Sequence, residues 1–320
     1  MKYLGNKISS DGSNISDITM KCNRGIGTIN KIHNILETLY FGKFNFEVGK
    51  TMIESMLLGS ILTNIEVAYN LSISEIEKLE KCHEMALRKL LSLPSKSPKP
   101  MLYFLTGSTP IRFLVQRRRL VYLHHILNQN EEALIKTFFD HQFETRKQKD
   151  WATQILKDLS DFEISSTLSE IKNISEENWK MSVKIKTHKN ALFYLNSIIG
   201  SKSKTYEELK MAPYLCSNSE EIPNETAKFI AKAQSHMIET VKMNFQGQFK
   251  PNFVCISCNS AICDQSHLLY CKSLIGSNQL ITYIPDYEDI FNDSDPKEQV
   301  FIANILMENL KKKKEIESNM

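Results

Sequence analysis

Cys255, Cys258, His267 and Cys271 fall within 17 residues of a 320-residue chain, spaced Cys-x2-Cys-x8-His-x3-Cys. A Cys-x2-Cys pair places two thiolates on one tight knuckle. A His and a Cys about one helical turn apart then close a tetrahedron. Zinc takes such a set, with Zn–S of about 2.3 Å and Zn–N of about 2.0 Å. Thiolates suit this borderline-soft ion better than calcium or magnesium. Four protein ligands leave no open position, so the expected role is structural. Cys263 is a fifth candidate that could replace His267 or Cys271, or be buried nearby. The alternative is a reduced cysteine cluster with no ion. The other cysteines, Cys22, Cys82 and Cys216, are isolated, and this clustering argues against a disulfide framework. A module with so few core residues is expected to fold only around its ion. Phe249, Phe253 and Tyr270 could stack on bases, and Lys250 and Lys272 could meet phosphates.

Positive charge is concentrated elsewhere. The net charge is only +3, yet Lys81 to His125 holds nine basic residues against one acid, Glu84. Thr282 to Gln299 holds six acids and one Lys. A local positive field attracts phosphate even in a nearly neutral chain. An ordinary solvated charge bias is the competing explanation. Lys311 to Lys314 could aid nuclear entry, but a basic last turn of a helix explains it better.

Catalytic arrangements are not evident. Polymerases and nucleases need paired carboxylates that hold metal ions. Asp11 and Asp17 fit a turn and a helix cap. Glu54 and Glu66 lie in an apolar stretch, but twelve residues apart and without a supporting motif. The acidic run from Asp286 to Asp295 lacks the glycine and spacing of an EF-hand loop. No Gly-rich phosphate loop and no G-x-S-x-G elbow occurs. His124 and His125 are adjacent on a helix and cannot face one ion. The chain is therefore expected not to be an enzyme and to hold no magnesium site.

The elements that must position these residues are helical. Tyr3 to Ser9 reads as a short strand, with a turn at Asp11-Gly12 and no convincing partner strand. Ile15 to Leu39 repeats at helical spacing, with Gly25 and Gly27 either weakening the helix or marking a close approach. A second helix is predicted over 46–69, apolar on most faces and inside a bundle. Ser72 and Glu75 form a capping-box pattern before a third helix over 73–91. Pro94, Pro98 and Pro100 then break the chain. Pro110 opens another helix, and more are predicted at 131–139, 148–160, 175–199, for about 20 residues after Pro223, and from Pro296 with Asp295 as cap. Trp151, Trp179, Phe193 and Tyr194 are expected in the core. No apolar signal segment and no run of 18 apolar residues occurs, which predicts a nuclear or cytoplasmic protein with no membrane partner.

The order of motifs resembles the C-terminal region of non-LTR (LINE-type) retrotransposon reverse transcriptases. Tyr3-Leu4-Gly5, Ile8 and Asp11-Gly12 resemble the segment that closes the palm. Leu62 to Leu71 is similar to the family's L-x-x-A/G-E-x-W-Y-x-L pattern, with Ala68 where an aromatic residue is frequent. Leu79-Glu80, Leu87 to Pro94, Pro98, Pro100, Leu102-Tyr103, Gly107, Pro110-Ile111-Arg112 and Arg117 to Leu123 continue the match. Cys255, Cys258, His267 and Cys271 are similar to its C-terminal Cys-Cys-His-Cys element, with a slightly shorter last gap.

The resemblance implies a mainly α chain: a thumb-like helical bundle, further helices and a small zinc-knuckle-like module. Residues 1–12 would be a remnant of the palm edge strand and turn, and 13–94 the thumb-like bundle. Residues 95–222 would form the helical connection, 223–295 a helix with the Cys-Cys-His-Cys module and an acidic loop, and 296–320 the C-terminal helix and basic tail. The family's catalytic aspartates come earlier in the chain, so a truncated, polymerisation-inactive fragment is expected. RNA or an RNA–DNA hybrid is the implied partner. Lys21, Arg24, Lys31, Lys96, Lys99, Arg112, Arg117, Arg118 and Arg119 are its candidate phosphate contacts. Adjacent arginines cannot all point one way, so one or two should form ion pairs within the fold. A helical protein-interaction scaffold and a host zinc-dependent nucleic-acid module are the alternative readings.

Overall fold

The computed structural model describes residues 2–3, 6–7, 13–39, 46–68, 71–95, 97–147, 150–202, 224–235, 238, 255, 257–259, 265–271, 273–274 and 296–318. The chain is mainly α-helical. It divides into two compact units, each built from three separated stretches. The first comprises Met1–Asn30, Ile53–His83 and Ser108–Glu207. The second comprises Lys31–Met52, Glu84–Gly107 and Glu208–Met320. No described helix is long and apolar enough to cross a membrane.

The chain starts with β1 (Lys2–Tyr3) and β2 (Asn6–Lys7), which pair antiparallel with Lys2 opposite Lys7 and Tyr3 opposite Asn6. The partner strand missing from the sequence reading therefore lies inside the segment taken as one strand. Helix α1 (Ile15–Leu39) is unbroken. Gly25 is a close approach: a Cβ there would lie 2.6 Å from Cys82 Sγ and 2.8 Å from Ile61 Cγ2. Gly27 faces open space.

The expected second helix is interrupted. Helix α2 (Phe46–Met52) runs into a π-helical stretch, Ile53–Leu58, then α3 (Gly59–Ile61) and a 3-10 turn, Ile65–Val67. Asn64 adopts the left-handed conformation between the last two, with φ 52°. Apolar residues on most faces gave no sign of these breaks, because they concern backbone pairing rather than burial. Helix α4 (Ile73–Leu91) starts where its cap predicted. The Glu75 N–H donates to Ser72 Oγ at 3.3 Å and the Ser72 N–H donates to Glu75 Oε2 at 2.8 Å.

Helix α5 (Lys99–Thr106) stands where prolines were read as breakers. Pro98 caps it and Pro100 sits in its first turn, where a missing N–H costs nothing. Gly107 ends it at φ 59°. Then come α6 (Ile111–Leu127), α7 (Leu134–Thr145), α8 (Trp151–Asp161), α9 (Leu168–Asn173) and α10 (Glu176–Lys202). A Thr167–Glu170 capping box starts α9, a helix absent from the sequence reading. Beyond it lie α11 (Asn224–Gln234), α12 (Gln265–Tyr270) and α13 (Pro296–Ser318). Asp295, its expected cap, lies outside the described residues.

In the first unit, α6 supplies the central wall of the core. Leu120, Leu123, Ile126 and Leu127 pack with Phe139, Ile155, Leu159, Phe162, Ile171, Trp179 and Val183. The Trp179 indole N–H donates to the Leu120 carbonyl at 2.8 Å, and Trp151 donates to the Glu66 carbonyl at 2.8 Å. Phe193, expected in the core, is 77% exposed. Its position on α10 faces away from the stripe carrying Trp179, Val183 and Thr187. In the second unit, α11 and α12 both pack on α13, and Ala227, Ile230, Ala231, Ile302, Ala303 and Leu306 are buried.

Two tests follow from this packing. Gly25→Ala should cost about 1–3 kcal/mol through overpacking, whereas Gly27→Ala should stabilise by about 0.5–1 kcal/mol through helix propensity. Urea unfolding followed by circular dichroism measures both, and equal effects at the two sites would contradict the close approach.

Arg119 and Asp158 form a buried pair, with Nε to Oδ2 at 2.6 Å and a second bond at 3.0 Å. Asp158→Ala should cost about 3–5 kcal/mol by leaving a buried charge alone, and the double change Arg119→Met with Asp158→Leu should recover most of it. A single-variant loss under about 1 kcal/mol would show that the pair is not needed.

Candidate metal centre and basic residues

Cys255 and Cys258 flank a tight turn in the second unit. The Asn259 N–H donates to the Cys255 carbonyl at 2.7 Å, and Asn259 holds φ at 54°. Asn tolerates this left-handed position better than most residues, so the turn folds Cys258 back beside Cys255. His267 lies on α12, and Cys271 follows its last residue, a helical turn later. Leu268 and Leu269 are buried beside it. The Asn309 side-chain amide of α13 donates to the Leu268 carbonyl at 2.9 Å. That bond ties the ligand-bearing helix to the C-terminal one.

The four ligand atoms come within 4.8 Å of one another. Cys255 Sγ and Cys271 Sγ are 3.8 Å apart, and Cys258 Sγ and His267 Nε2 are 3.3 Å apart. Tetrahedral zinc with the bond lengths above needs S···S of about 3.8 Å and S···N of about 3.5 Å. The residues therefore fit a tetrahedral ion after small side-chain adjustments. Burial pushes the Cys271 thiol up to about 12, with the adjacent Cys255 and Cys258 thiols adding to the rise. A bound cation reverses that, because it stabilises thiolates directly. Among the described residues no other group of three or more Cys, His, Asp or Glu converges in this way. Cys263 and Cys216 lie outside the described residues, as do Phe249, Lys250, Phe253 and Lys272. Tyr270 is 45% exposed.

The basic candidates separate sharply. Lys21 is buried against Asp17 at 2.7 Å, so it is not placed to meet a phosphate. Arg119 is committed to Asp158. Arg112 makes a bidentate contact to Glu80, at 2.9 and 3.0 Å, and lies over the Tyr194 ring. Lys21 and Arg119 are buried cations that need these partners once removed from water, and Arg112, with its side chain 32% exposed, is held by Glu80. Arg118 donates to the Leu62 carbonyl at 2.7 Å. Lys99 pairs with Glu84 at 3.1 Å but remains half-exposed. Arg24 and Lys31 are exposed on α1, and Lys96 lies outside the described residues. Arg117 makes no hydrogen bond or ion pair with the described residues.

Lys311 to Lys314 lie inside α13, which runs on to Ser318. Lys313 is buried and Lys312 pairs with Glu308 at 2.9 Å. The run is thus part of the helix's packing, short of its last turn. His124 is buried with Nε2 2.8 Å from the Ile174 carbonyl, and His125 is exposed. Glu54 and Glu66, twelve residues apart in sequence, line one cavity of the first unit. No local signal in the sequence links them. No protein-family model, curated protein or solved structure matches this chain.

Metal content tests the centre. The purified chain should carry about one zinc, and Cys258→Ser should lose it together with the helical signal of α12. Zinc affinity should fall as pH is lowered, since thiolates and imidazole must shed protons to bind. Elemental analysis after gel filtration under reducing conditions measures this, and less than about 0.2 zinc per chain would rule the site out.

Proposed function

We propose that this chain is a zinc-stapled, nucleic-acid-binding protein of the kind found in the thumb and connection region of non-LTR retrotransposon reverse transcriptases, without polymerase activity of its own. The observation that carries the reading is the convergence of Cys255, Cys258, His267 and Cys271. Their order is that of the family's C-terminal element. Zinc in this set has no open coordination position, so its contribution is to hold α12 and the Cys255–Cys258 knuckle together. The ligands are neighbours of α13 rather than of any paired carboxylates.

Arg24, Lys31, Lys99, Arg117 and Arg118 supply the backbone contacts to RNA or an RNA–DNA hybrid. Such contacts are electrostatic and independent of sequence. A second reading, a helical protein-interaction scaffold, is favoured by Met181, Ile185 and Leu192, which form an exposed stripe on α10. Single apolar residues on a surface need no explanation, but a row at helical spacing matches a partner-binding face.

Binding of a single-stranded RNA and an RNA–DNA hybrid, measured by fluorescence anisotropy across salt, separates the two. Weak binding should appear at low salt and drop steeply as salt rises, with a slope near −0.7 to −0.9 per phosphate contact, roughly the counterion-release value. Charge reversal at Arg117 and Arg118 should weaken it while helical content is kept. Absence of binding at every salt concentration favours the scaffold reading.

A further inference from the structure

The first unit contains a cavity of about 820 Å³, within the size range of small-molecule sites, roughly 300–1,000 Å³. One face of α6 forms its floor. The π-helical stretch after Met52 and the start of α10 form its sides. Its apolar wall includes Leu58, Leu62 and Val121.

The charges on this wall are unequally satisfied. Glu176 and Lys180 pair with each other. Arg118 is held by the Leu62 carbonyl and lies 3.8 Å from Glu66 Oε2. Arg117 has no such partner among the described residues, although it is half-buried beside Arg118. Burial, and then the adjacent Arg118 charge, pull Arg117 below the ordinary arginine range. A half-buried guanidinium that makes no hydrogen bond with the described residues, next to a like charge, keeps its donors available to a ligand. A planar fork of this kind matches the oxygens of a phosphate. Tyr122 and His125 stack with ring centroids 5.7 Å apart on the same wall, a surface suited to a flat ring.

We propose that this cavity binds a phosphate monoester carried on a ring-bearing body, of the nucleoside monophosphate class, with Arg117 gripping the phosphate and the Tyr122–His125 pair facing the ring. The site takes the ligand free or as the phosphorylated end of a strand, since both present the same chemistry. None of the zinc ligands lines it, and it shares Arg117 and Arg118 with the backbone contacts proposed above.

Isothermal titration calorimetry of the full chain tests it with adenosine 5′-monophosphate, adenosine and inorganic phosphate as separate probes. The monophosphate should bind at least tenfold more tightly than either part. Arg117→Ala should weaken it at least tenfold, and Arg117→Lys should fall between, because charge is kept and the fork is lost. A 5′-phosphorylated oligonucleotide compared with its 5′-hydroxyl form distinguishes a strand end from a free nucleotide. Arg117→Ala should also leave the melting temperature unchanged or raise it, since an unpaired cation is removed. A lowered melting temperature with unchanged ligand affinity would instead make Arg117 structural. The proposal is overturned if the unmodified chain binds no monophosphate at millimolar concentration, or binds it equally well without Arg117.

Discussion

Arg119 and Asp158 both lie in the interior of the first unit, where neither charge is tolerable without the other. Their bidentate contact fixes how α6 meets α8. The Gln116 and Gln154 amides reach the same carboxylate at 3.2 and 3.4 Å, so its remaining acceptor capacity is also used. One residue further along α6, the Leu120 carbonyl receives the Trp179 indole, which sets the register of α10. The core of the unit then closes around two neighbouring positions of one helix. The second unit meets the same constraint in another form. Three cysteines and a histidine converge there, and a single cation would satisfy all four at once.

This constraint also explains what becomes of the basic stretch between Lys81 and His125. A run of positive residues looks like a surface for phosphate, but the fold directs carboxylates to several of them. Arg88 and Lys99 share Glu84, Arg112 takes Glu80 and Arg119 takes Asp158. The cations left facing solvent are fewer and more scattered than the composition suggests. Net charge over a window therefore overstates the field available to a ligand, because pairing within the fold cancels part of it before any partner arrives.

Features were legible in the sequence when their physics is local. The Ser72–Glu75 box marked the start of α4 because both partners lie within one turn. The four metal-ligand candidates were readable because ligand chemistry and short spacing carry the signal by themselves. Features that depend on distant residues were not. Nothing near Arg119 points to Asp158, and nothing near Phe193 shows that its side of α10 is left uncovered. Pro98 and Pro100 predict a break by residue type alone, whereas proline's effect depends on position. At the cap and in the first turn of α5 it favours the helix it would interrupt elsewhere. The π-helical stretch was hidden for a related reason: Ile53, Leu57 and Ile61 are buried as helical periodicity requires, while the backbone bonds beneath them shift by a residue.

Several of the costly local choices in the first unit meet at the cavity, although Arg146 and Glu163, with φ of 47° and 51°, lie outside its lining. The π-helical stretch supplies Glu54 and Leu58 to the cavity wall. Asn64, in a left-handed conformation, lies in sequence between Leu62 and Glu66 of the same wall, and Arg117, which makes no ion pair with the described residues, lines it too. Each departs from the cheapest local solution: a regular helix, an ordinary backbone angle, a neutralised charge. Other polar groups of α6 are matched: Arg112 by Glu80, Gln116 and Arg119 by Asp158, and His124 by the Ile174 carbonyl. Glu54 and Glu66 line the same cavity, so Arg117 is left without an ion pair among the described residues despite carboxylates nearby and not through a shortage of acids. Sequences agree with their structures at most levels, and the exceptions gather where something other than stability is being selected. That reasoning favours the cavity, rather than the basic run on α6, as the place to seek a ligand in the first unit.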